Sequence, residues 1–249
     1  EEEFRERGIV IAGGETVVEF KSENGNVSKV VTTKNEYDAD MVIMCVGFLP
    51  STEIFRGQLD MLSNGAIKVD EYMKTSNPDV VAAGDCCTVF FNPTQEQLYI
   101  PLATNAVRMG TLAAVNLCEN KIKHPGTQGT SGIKIYEYNM AATGYTEEVA
   151  KKEGLNVESI TIEENFRPEF MPTYEKVTLK VVYEKDTRRI IGAQLNSKAD
   201  LTQSINTLSV CIQNKMTVED LAFVDFFFQP HYNKPWNFIN LIGLEAIRK

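Results

Sequence analysis

The chain has 249 residues, 43% hydrophobic and 24% charged, which is an ordinary composition for a globular protein and long enough for two domains. Its formal charge of −9 argues against nucleic acid or an anionic membrane surface as the main partner, and no apolar run approaches the roughly 18 residues that span a bilayer. Its five cysteines show no CxxC spacing and no nearby histidines, so we expect free thiols in a reducing cytosol rather than a metal site.

The first 47 residues predict the end of a nucleotide-binding domain. Glu1–Arg7 has the pattern of a helix end and no initiator Met, so we expect the C-terminal part of a longer protein. Strands are predicted at Thr16–Phe20 and Val27–Thr33, joined by an Asn-Gly hairpin turn. A third, Asp40–Val46, is an apolar run typical of a strand buried on both faces. Gly47 then either allows close approach to a ligand or simply makes a turn.

The stretch Thr75–Met109 has the pattern that a ribitol-phosphate cofactor needs where a sheet ends and a helix begins. A short buried strand is predicted at Val80–Ala83. Gly84 lets the backbone come close to a ligand. Asp85 offers a carboxylate to hydroxyl groups at the carboxyl end of the strand, where open α/β sheets bind ligands.

A helix is predicted to begin at Pro101, since proline is tolerated in a first helical turn. Apolar residues follow at helical spacing, so one face of this helix should pack in the core. The free N–H groups of Leu102, Ala103 and Thr104 would carry the positive end of the helix dipole.

The second half of the chain has the pattern of an α+β domain, with strands first and helices later. Before it, Asn120–Gly132 is rich in Gly, Pro and Thr and is predicted to be a linker in which His124 is solvated. The predicted strands are Ile133–Met140, Val157–Glu163, Lys176–Tyr183 and Arg189–Leu195, and the predicted helices are Thr146–Gly154, Ala199–Asn214 and Val218–Phe223.

The tail, DFFFQPHYNKPWNFIN, is dense in aromatic residues. Pro230 and Pro235 should prevent a regular element there, so the aromatics indicate a protein interface or the edge of a core. Removal of the chain from Asp225 onward is therefore expected to give monomers. His231 is either a catalytic residue or a packed, hydrogen-bonded histidine.

Three stretches together resemble the pyridine nucleotide–disulfide oxidoreductase family. TSNPDVVAAGDC followed by YIPLATNAVRMG resembles its second FAD-binding segment, and NEYDADMVIMCVGFLPST resembles the last strand and exit loop of its NAD domain. FFFQPHYNKPWNFIN resembles the C-terminal signature of its NADH oxidase and NADH peroxidase branch.

This resemblance covers nearly the whole chain and implies an α/β fold. Residues 1–47 would end a NAD-binding domain, and residues 48–119 would form the second segment of an FAD-binding domain, both three-layer and Rossmann-like. Residues 120–132 would be a linker and residues 133–249 an α+β dimerisation domain.

The resemblance also implies sites. Gly84 and Asp85 would hold the ribitol of FAD, and Leu102, Ala103 and Thr104 would face the pyrimidine edge of its ring. The remaining implied site residues are Gly47 and Gly132 for NAD(P)H, and Phe228 and His231 for the flavin site of the partner subunit. No metal is implied, and His231 is the one candidate catalytic residue in the chain.

The chain also departs from the family pattern. It has no GxGxxG motif and lacks the redox cysteine that this branch carries near its N-terminus. Cys86 and Cys87 belong to the ribitol strand and cannot take that role. The glutathione-reductase branch has a Glu five residues after its C-terminal His, where this chain has Trp236 after His231, which favours the oxygen and peroxide branch.

The resemblance therefore implies a cytoplasmic, homodimeric flavoenzyme. Hydride would pass from NADH to FAD, and electrons would pass through a redox cysteine outside this chain to oxygen or peroxide. We expect residues 1–249 alone to be inactive. A coenzyme A disulfide reductase is the enzymatic alternative. The others are a non-catalytic dimerisation module and an α/β protein whose Gly-Asp turn is merely structural.

Overall fold

A computed structural model describes all 249 residues and divides them into two compact units, Glu1–Phe48 and Leu49–Lys249. It confirms the α/β class, because both units contain helices and antiparallel sheets. No helix in it is both long and apolar enough to cross a membrane.

The first unit contains one short helix and a three-stranded antiparallel sheet. The predicted hairpin is confirmed: Asn24 and Gly25 have φ values of 51° and 82°, the left-handed conformation that a tight hairpin turn requires. The third strand was not predicted. The elements are α1 Glu2–Glu6, β1 Val17–Glu23, β2 Asn26–Thr32 and β3 Glu36–Asp38, in the sheet order β1-β2-β3.

The predicted buried strand Asp40–Val46 is wrong for this chain. The segment makes no strand pairing, and its apolar side chains are mostly exposed, Val46 by 87%. A strand buried on both faces needs a neighbouring strand on each side. In this unit β3 is the edge strand of a three-stranded sheet, and no strand pairs with the segment Asp40–Val46.

The second unit begins with turns, a hairpin and one longer helix, which surround a small core of Ile67, Met73, Val89 and Met109. The helix α2 spans Ala103–Val115, so the predicted helix is confirmed, but it begins two residues after Pro101, with Leu102 as its N-cap. The hairpin of β4 Val89–Phe91 and β5 Glu96–Leu98 was missed, and Glu53–Phe55 forms a 3-10 turn.

The predicted strand Val80–Ala83 is not a regular strand. Val81 makes one isolated bridge to Lys74, and the Ala82 N–H donates to the carbonyl of Met73 at 3.1 Å. Val80–Ala83 therefore has one isolated bridge and no strand ladder.

A five-stranded antiparallel sheet forms the centre of the second half, in the order β6-β7-β10-β9-β8. Alternate residues of β9, from Val177 to Tyr183, face one side of this sheet, where Leu208 and Ile242 of the covering helices complete the core. The elements are β6 Ser131–Ile135, β7 Tyr138–Gly144, α3 Glu147–Lys152, β8 Val157–Asn165, β9 Lys176–Glu184, β10 Ile190–Ser197, α4 Ser204–Gln213, α5 Val218–Ala222 and α6 Phe238–Arg248.

The predicted single strand Ile133–Met140 is in fact two strands, β6 and β7, which pair as a hairpin. The turn falls at Tyr136, whose φ of 52° is left-handed. Tyrosine rarely adopts this conformation, so the turn had no Gly or Asn signal in the sequence.

The predicted linker 120–132 is not a solvated connection. The Thr127 N–H donates to the carbonyl of Phe90 at 2.8 Å, and the Asn92 N–H donates to the carbonyl of Thr127 at 2.9 Å, so the segment lies along β4. His124, expected to be solvated, is only 6% exposed, and its Nδ1 accepts the Gly126 N–H at 3.0 Å. Burial lowers the pKa of His124 to about 4, and the charge of Arg108 adds to this effect.

Candidate functional site

The turn at Gly84–Cys87 is fixed by hydrogen bonds on both sides. The Cys87 N–H donates to the Gly84 carbonyl at 3.2 Å, and the Cys86 carbonyl accepts the Ile67 N–H at 3.0 Å. Gly84 has a φ of 86°, and a Cβ at this position would lie 3.5 Å from the Cβ of Ala106 in α2. The turn therefore packs directly against the first turns of that helix.

Asp85 lies at the tip of this turn with its side chain exposed. Its carboxylate makes no hydrogen bond and no ion pair with the rest of the chain. The carboxylate nevertheless lies close enough to Tyr99 to contribute, after burial, to raising the pKa of that phenol. The turn thus presents an unpaired carboxylate beside a helix start, and the hydroxyl groups of a ligand could donate to it.

The start of α2 is left open. Leu102 is the N-cap residue, with φ −135° and ψ 134°, and no side chain caps the helix. Ala103 and Thr104 follow it and are exposed. Because the first N–H groups of a helix have no partner within it, this end carries partial positive charge and favours a negative group.

Asn105 holds the helix start in place and was missed by the sequence reasoning. Its amide donates to the Ile100 carbonyl at 3.1 Å, while its oxygen accepts from the Thr127 hydroxyl at 2.9 Å and from Arg108 at 2.7 Å. The available signal was an Asn four residues before Met109, on the apolar face of the predicted helix. A polar residue on such a face must be hydrogen-bonded.

The two glycines predicted to approach NADH belong to different units. Gly47 has a φ of 95° and open space around it. Gly132 lies in β6 opposite Ala141, where a Cβ would be 3.4 Å from the Met140 carbonyl oxygen. Both are exposed, and their role in nucleotide binding stays a prediction.

Phe228 and His231 lie on an exposed surface segment between α5 and α6. The side chain of Gln229 bonds to both the backbone N–H and the ring Nδ1 of His231, at 2.6 and 3.0 Å. The His231 carbonyl accepts from Arg167 at 2.9 Å. The ring's hydrogen-bond partner is the Gln229 side chain, and a catalytic role for His231 stays a prediction.

Asn233 shapes this segment and was also missed. It is 5% exposed, its amide donates to the Phe227 carbonyl at 2.8 Å, and its oxygen accepts the Gln229 N–H at 3.1 Å. These bonds turn the aromatic side chains outward. We call the exposed set the aromatic surface: Phe223, Phe227, Phe228, Tyr232 and Trp236.

Two sequence models match the chain in succession. The first, described as pyridine nucleotide-disulphide oxidoreductase, matches residues 1–110, and the second, the dimerisation domain of the same family, matches residues 130–237. Together they cover well over half of the chain. The chain belongs to the pyridine nucleotide–disulphide oxidoreductase family. The resemblance read from its motifs is thereby confirmed.

Individual relatives point to one branch of this family. An NADH oxidase of Enterococcus faecalis is 57% identical over 248 residues, which are 99% of this chain and 56% of that protein. The water-forming NADH oxidase from Lactobacillus brevis, solved with bound NADH, superposes with a TM-score of 0.97 at 46% identity, over 99% of this chain and 55% of that chain. A CoA-dependent NAD(P)H sulfur oxidoreductase of Pyrococcus furiosus is 34% identical over 85% of this chain and 48% of its own length. The chain thus spans little more than half the length of the NADH oxidases it matches.

Proposed function

We propose that this chain provides the second flavin-contacting segment and the dimerisation domain of an FAD-dependent NADH oxidase. One observation carries the proposal: the unpaired Asp85 carboxylate projects from a turn that packs against the uncapped start of α2. The 57% identity to an NADH oxidase along the whole chain supports oxygen as the electron acceptor.

The residues at this place fit FAD. Asp85 would accept hydrogen bonds from the ribitol hydroxyls, and its carboxylate has no competing partner in the chain. Gly84, without a side chain, would leave room for the ligand beside the turn. The open helix start at Leu102, Ala103 and Thr104 would favour negative charge on the ring. When bound, FAD would supply the two-electron chemistry that links NADH to the acceptor.

The remaining parts of the proposal concern the redox cysteine, NADH, the partner subunit and the cellular location. The redox cysteine would lie outside this chain, and Gly47 and Gly132 would approach NADH. The aromatic surface would be buried in a homodimer formed through 133–249, with Phe228 and His231 directed to the partner's flavin site. Five exposed aromatic side chains within Phe223–Trp236 support an interface, since monomeric proteins rarely leave large apolar patches uncovered. We further propose that the enzyme works in the cytoplasm.

The test is acceptor specificity in the full-length protein. Purified protein with bound flavin is given NADH, and NADH absorbance and dissolved oxygen are followed together. We expect NADH consumption that requires oxygen. Under anaerobic conditions hydrogen peroxide and coenzyme A disulfide are then offered in turn. The coenzyme A-dependent Pyrococcus relative makes the disulfide the second candidate, and turnover with it alone would replace the oxidase proposal.

A further inference from the structure

Two consecutive cysteines occupy the turn that carries Asp85, and neither has a role in the proposed function. The Cys86 thiol donates to the Ala83 carbonyl and the Cys87 thiol to the Gly84 carbonyl, each at 3.4 Å. Both thiols thus fold back on the same turn in the same way. Cys86 is half-buried, whereas Cys87 is only 3% exposed.

The two thiols differ in their readiness to ionise. The neighbouring Cys87 thiol lowers the pKa of Cys86, against the opposing effects of burial and of the Asp85 charge. The same interaction and burial raise the pKa of Cys87. Since the thiolate is the nucleophilic form, Cys86, the more accessible thiol, reacts first. Cys87 stays protonated while Cys86 is a thiolate, and it can ionise more readily once Cys86 has become a neutral sulfenic acid.

We propose that Cys86 and Cys87 form a peroxide-sensitive dithiol that closes to a reversible disulfide. The Cys86 thiolate attacks one oxygen of hydrogen peroxide, the S–O bond forms, the O–O bond breaks, and the released hydroxide takes up a proton to become water. The Cys87 sulfur then attacks the Cys86 sulfenic acid, the S–S bond forms, and the oxygen leaves as a second water with the Cys87 proton. Two thiols lose two electrons, and one peroxide becomes two waters.

Adjacency makes this disulfide easy to reverse. Neighbouring Cα atoms are about 3.8 Å apart across a trans peptide, which is shorter than the separation that disulfides normally bridge. Strained disulfides are more readily reduced, so cellular thiols should reopen the bond. The pair is therefore suited to sensing peroxide transiently rather than to stabilising the fold.

Closure would change the turn that the proposed flavin site uses, and this consequence rests on the proposed function. The backbone of Cys86 and Cys87 makes the bonds to Ile67 and Gly84 that fix the turn. Pulling the two sulfurs together distorts that peptide and moves Asp85, which directly precedes it. Oxidation is then expected to weaken flavin retention.

The sequence provides a clean assay. Trypsin should release Thr75–Arg108, which contains both cysteines, no other cysteine and no methionine. The full-length protein is treated with hydrogen peroxide, unfolded in denaturant so that both thiols are accessible, and alkylated with N-ethylmaleimide, and the mass of this peptide is measured. We expect two alkylations before peroxide. After peroxide we expect none, with a mass lower by two hydrogens, and dithiothreitol should restore both alkylations.

Variants separate the two roles. Cys87→Ser should leave Cys86 as a sulfenic acid that dimedone traps, and Cys86→Ser should show neither product. Cys118, an exposed single thiol, is the internal comparison and should react more slowly than Cys86. Two alkylations of the peptide after peroxide, or oxidation of Cys118 that is faster than that of Cys86, would refute the proposal that Cys86 and Cys87 are a peroxide-sensitive dithiol. A disulfide that forms while the flavin stays bound would overturn only its link to the flavin site, and an absence of flavin in untreated protein would count against the proposed function instead.

Discussion

Replacing Asp85 by alanine should separate flavin retention from folding stability. The carboxylate is exposed and makes no hydrogen bond or ion pair, so its loss should change the free energy of unfolding by no more than about 0.5 kcal/mol. If it accepts hydrogen bonds from ribitol hydroxyls, the loss of these charged bonds should weaken FAD binding by about 1–3 kcal/mol. That range corresponds to an increase of about 5- to 150-fold in the dissociation constant.

The assay uses full-length protein stripped of flavin and titrated with FAD, with thermal unfolding measured on the same samples in the absence of FAD. Asp60→Ala is the matched control, because Asp60 is also exposed and its carboxylate makes no hydrogen bond. We expect Asp60→Ala to bind FAD like the parent protein. Equal affinity in the Asp85 variant would remove Asp85 from the flavin site. A large fall in the melting temperature of the FAD-free variant would show that the carboxylate has a structural role instead.

Other changes test the rest of the account. Gly192→Ala should destabilise the protein by about 3 kcal/mol or more, because its Cβ would lie 1.8 Å from the Tyr145 carbonyl oxygen. Gly110→Ala, in open space within α2, should instead stabilise the protein by about 1 kcal/mol. Equal changes in the free energy of unfolding of the two variants, measured in urea, would refute this steric argument. His124 has a folded pKa of about 4 against about 6.5 when unfolded, so the stability it contributes is full above pH 6.5 and is lost as the pH falls towards 4. Between pH 6.5 and 4 the free energy of unfolding of His124→Asn should therefore fall less steeply than that of the parent protein. Parallel curves of unfolding free energy against pH for the two proteins would contradict this. The double variant Phe227→Ser, Phe228→Ser should be monomeric by light scattering. The control Ile54→Ser, which changes another exposed apolar residue, should stay dimeric. A dimeric double variant would exclude the aromatic surface as an interface.

The structure also changes how the tail must be tested. The sequence predicted no regular element near the prolines, and removal from Asp225 onward was the obvious experiment. That cut would delete α6, whose Ile239, Ile242 and Ala246 are buried in the core against the sheet. Monomers would then report a damaged fold rather than a lost interface. Surface substitutions keep α6 and avoid this ambiguity.

The sequence predicted best those elements whose cause is local. The Asn24-Gly25 turn contains the two residues that tolerate left-handed backbone, and Thr217 caps α5 together with Asp220 in a reciprocal pair of hydrogen bonds. The same holds at the candidate site, because the lack of a side chain at Gly84 and the carboxylate of Asp85 are evident from the residue types alone. Their flavin role stays a prediction.

The failures share a non-local cause. Asp40–Val46 has the composition of a buried strand, but pairing depends on neighbours that the composition does not reveal. His124 lies in a stretch that is polar by composition, and only its packing along β4 buries it. Asn105 and Asn233 each bond to carbonyls whose position depends on the fold. The helical spacing of Asn105 indicates that it must be hydrogen-bonded, but the partners of both side chains depend on the fold.

Hydrogen–deuterium exchange of the full-length protein with and without FAD tests the central claim most directly. The claim is that the turn at Gly84–Cys87 and the open start of α2 together contact the flavin. The account predicts slower exchange with FAD at this turn and at the first amides of α2, and no change in the hairpin of β8 and β9. Unchanged exchange at both places, in protein that demonstrably binds FAD, would contradict it.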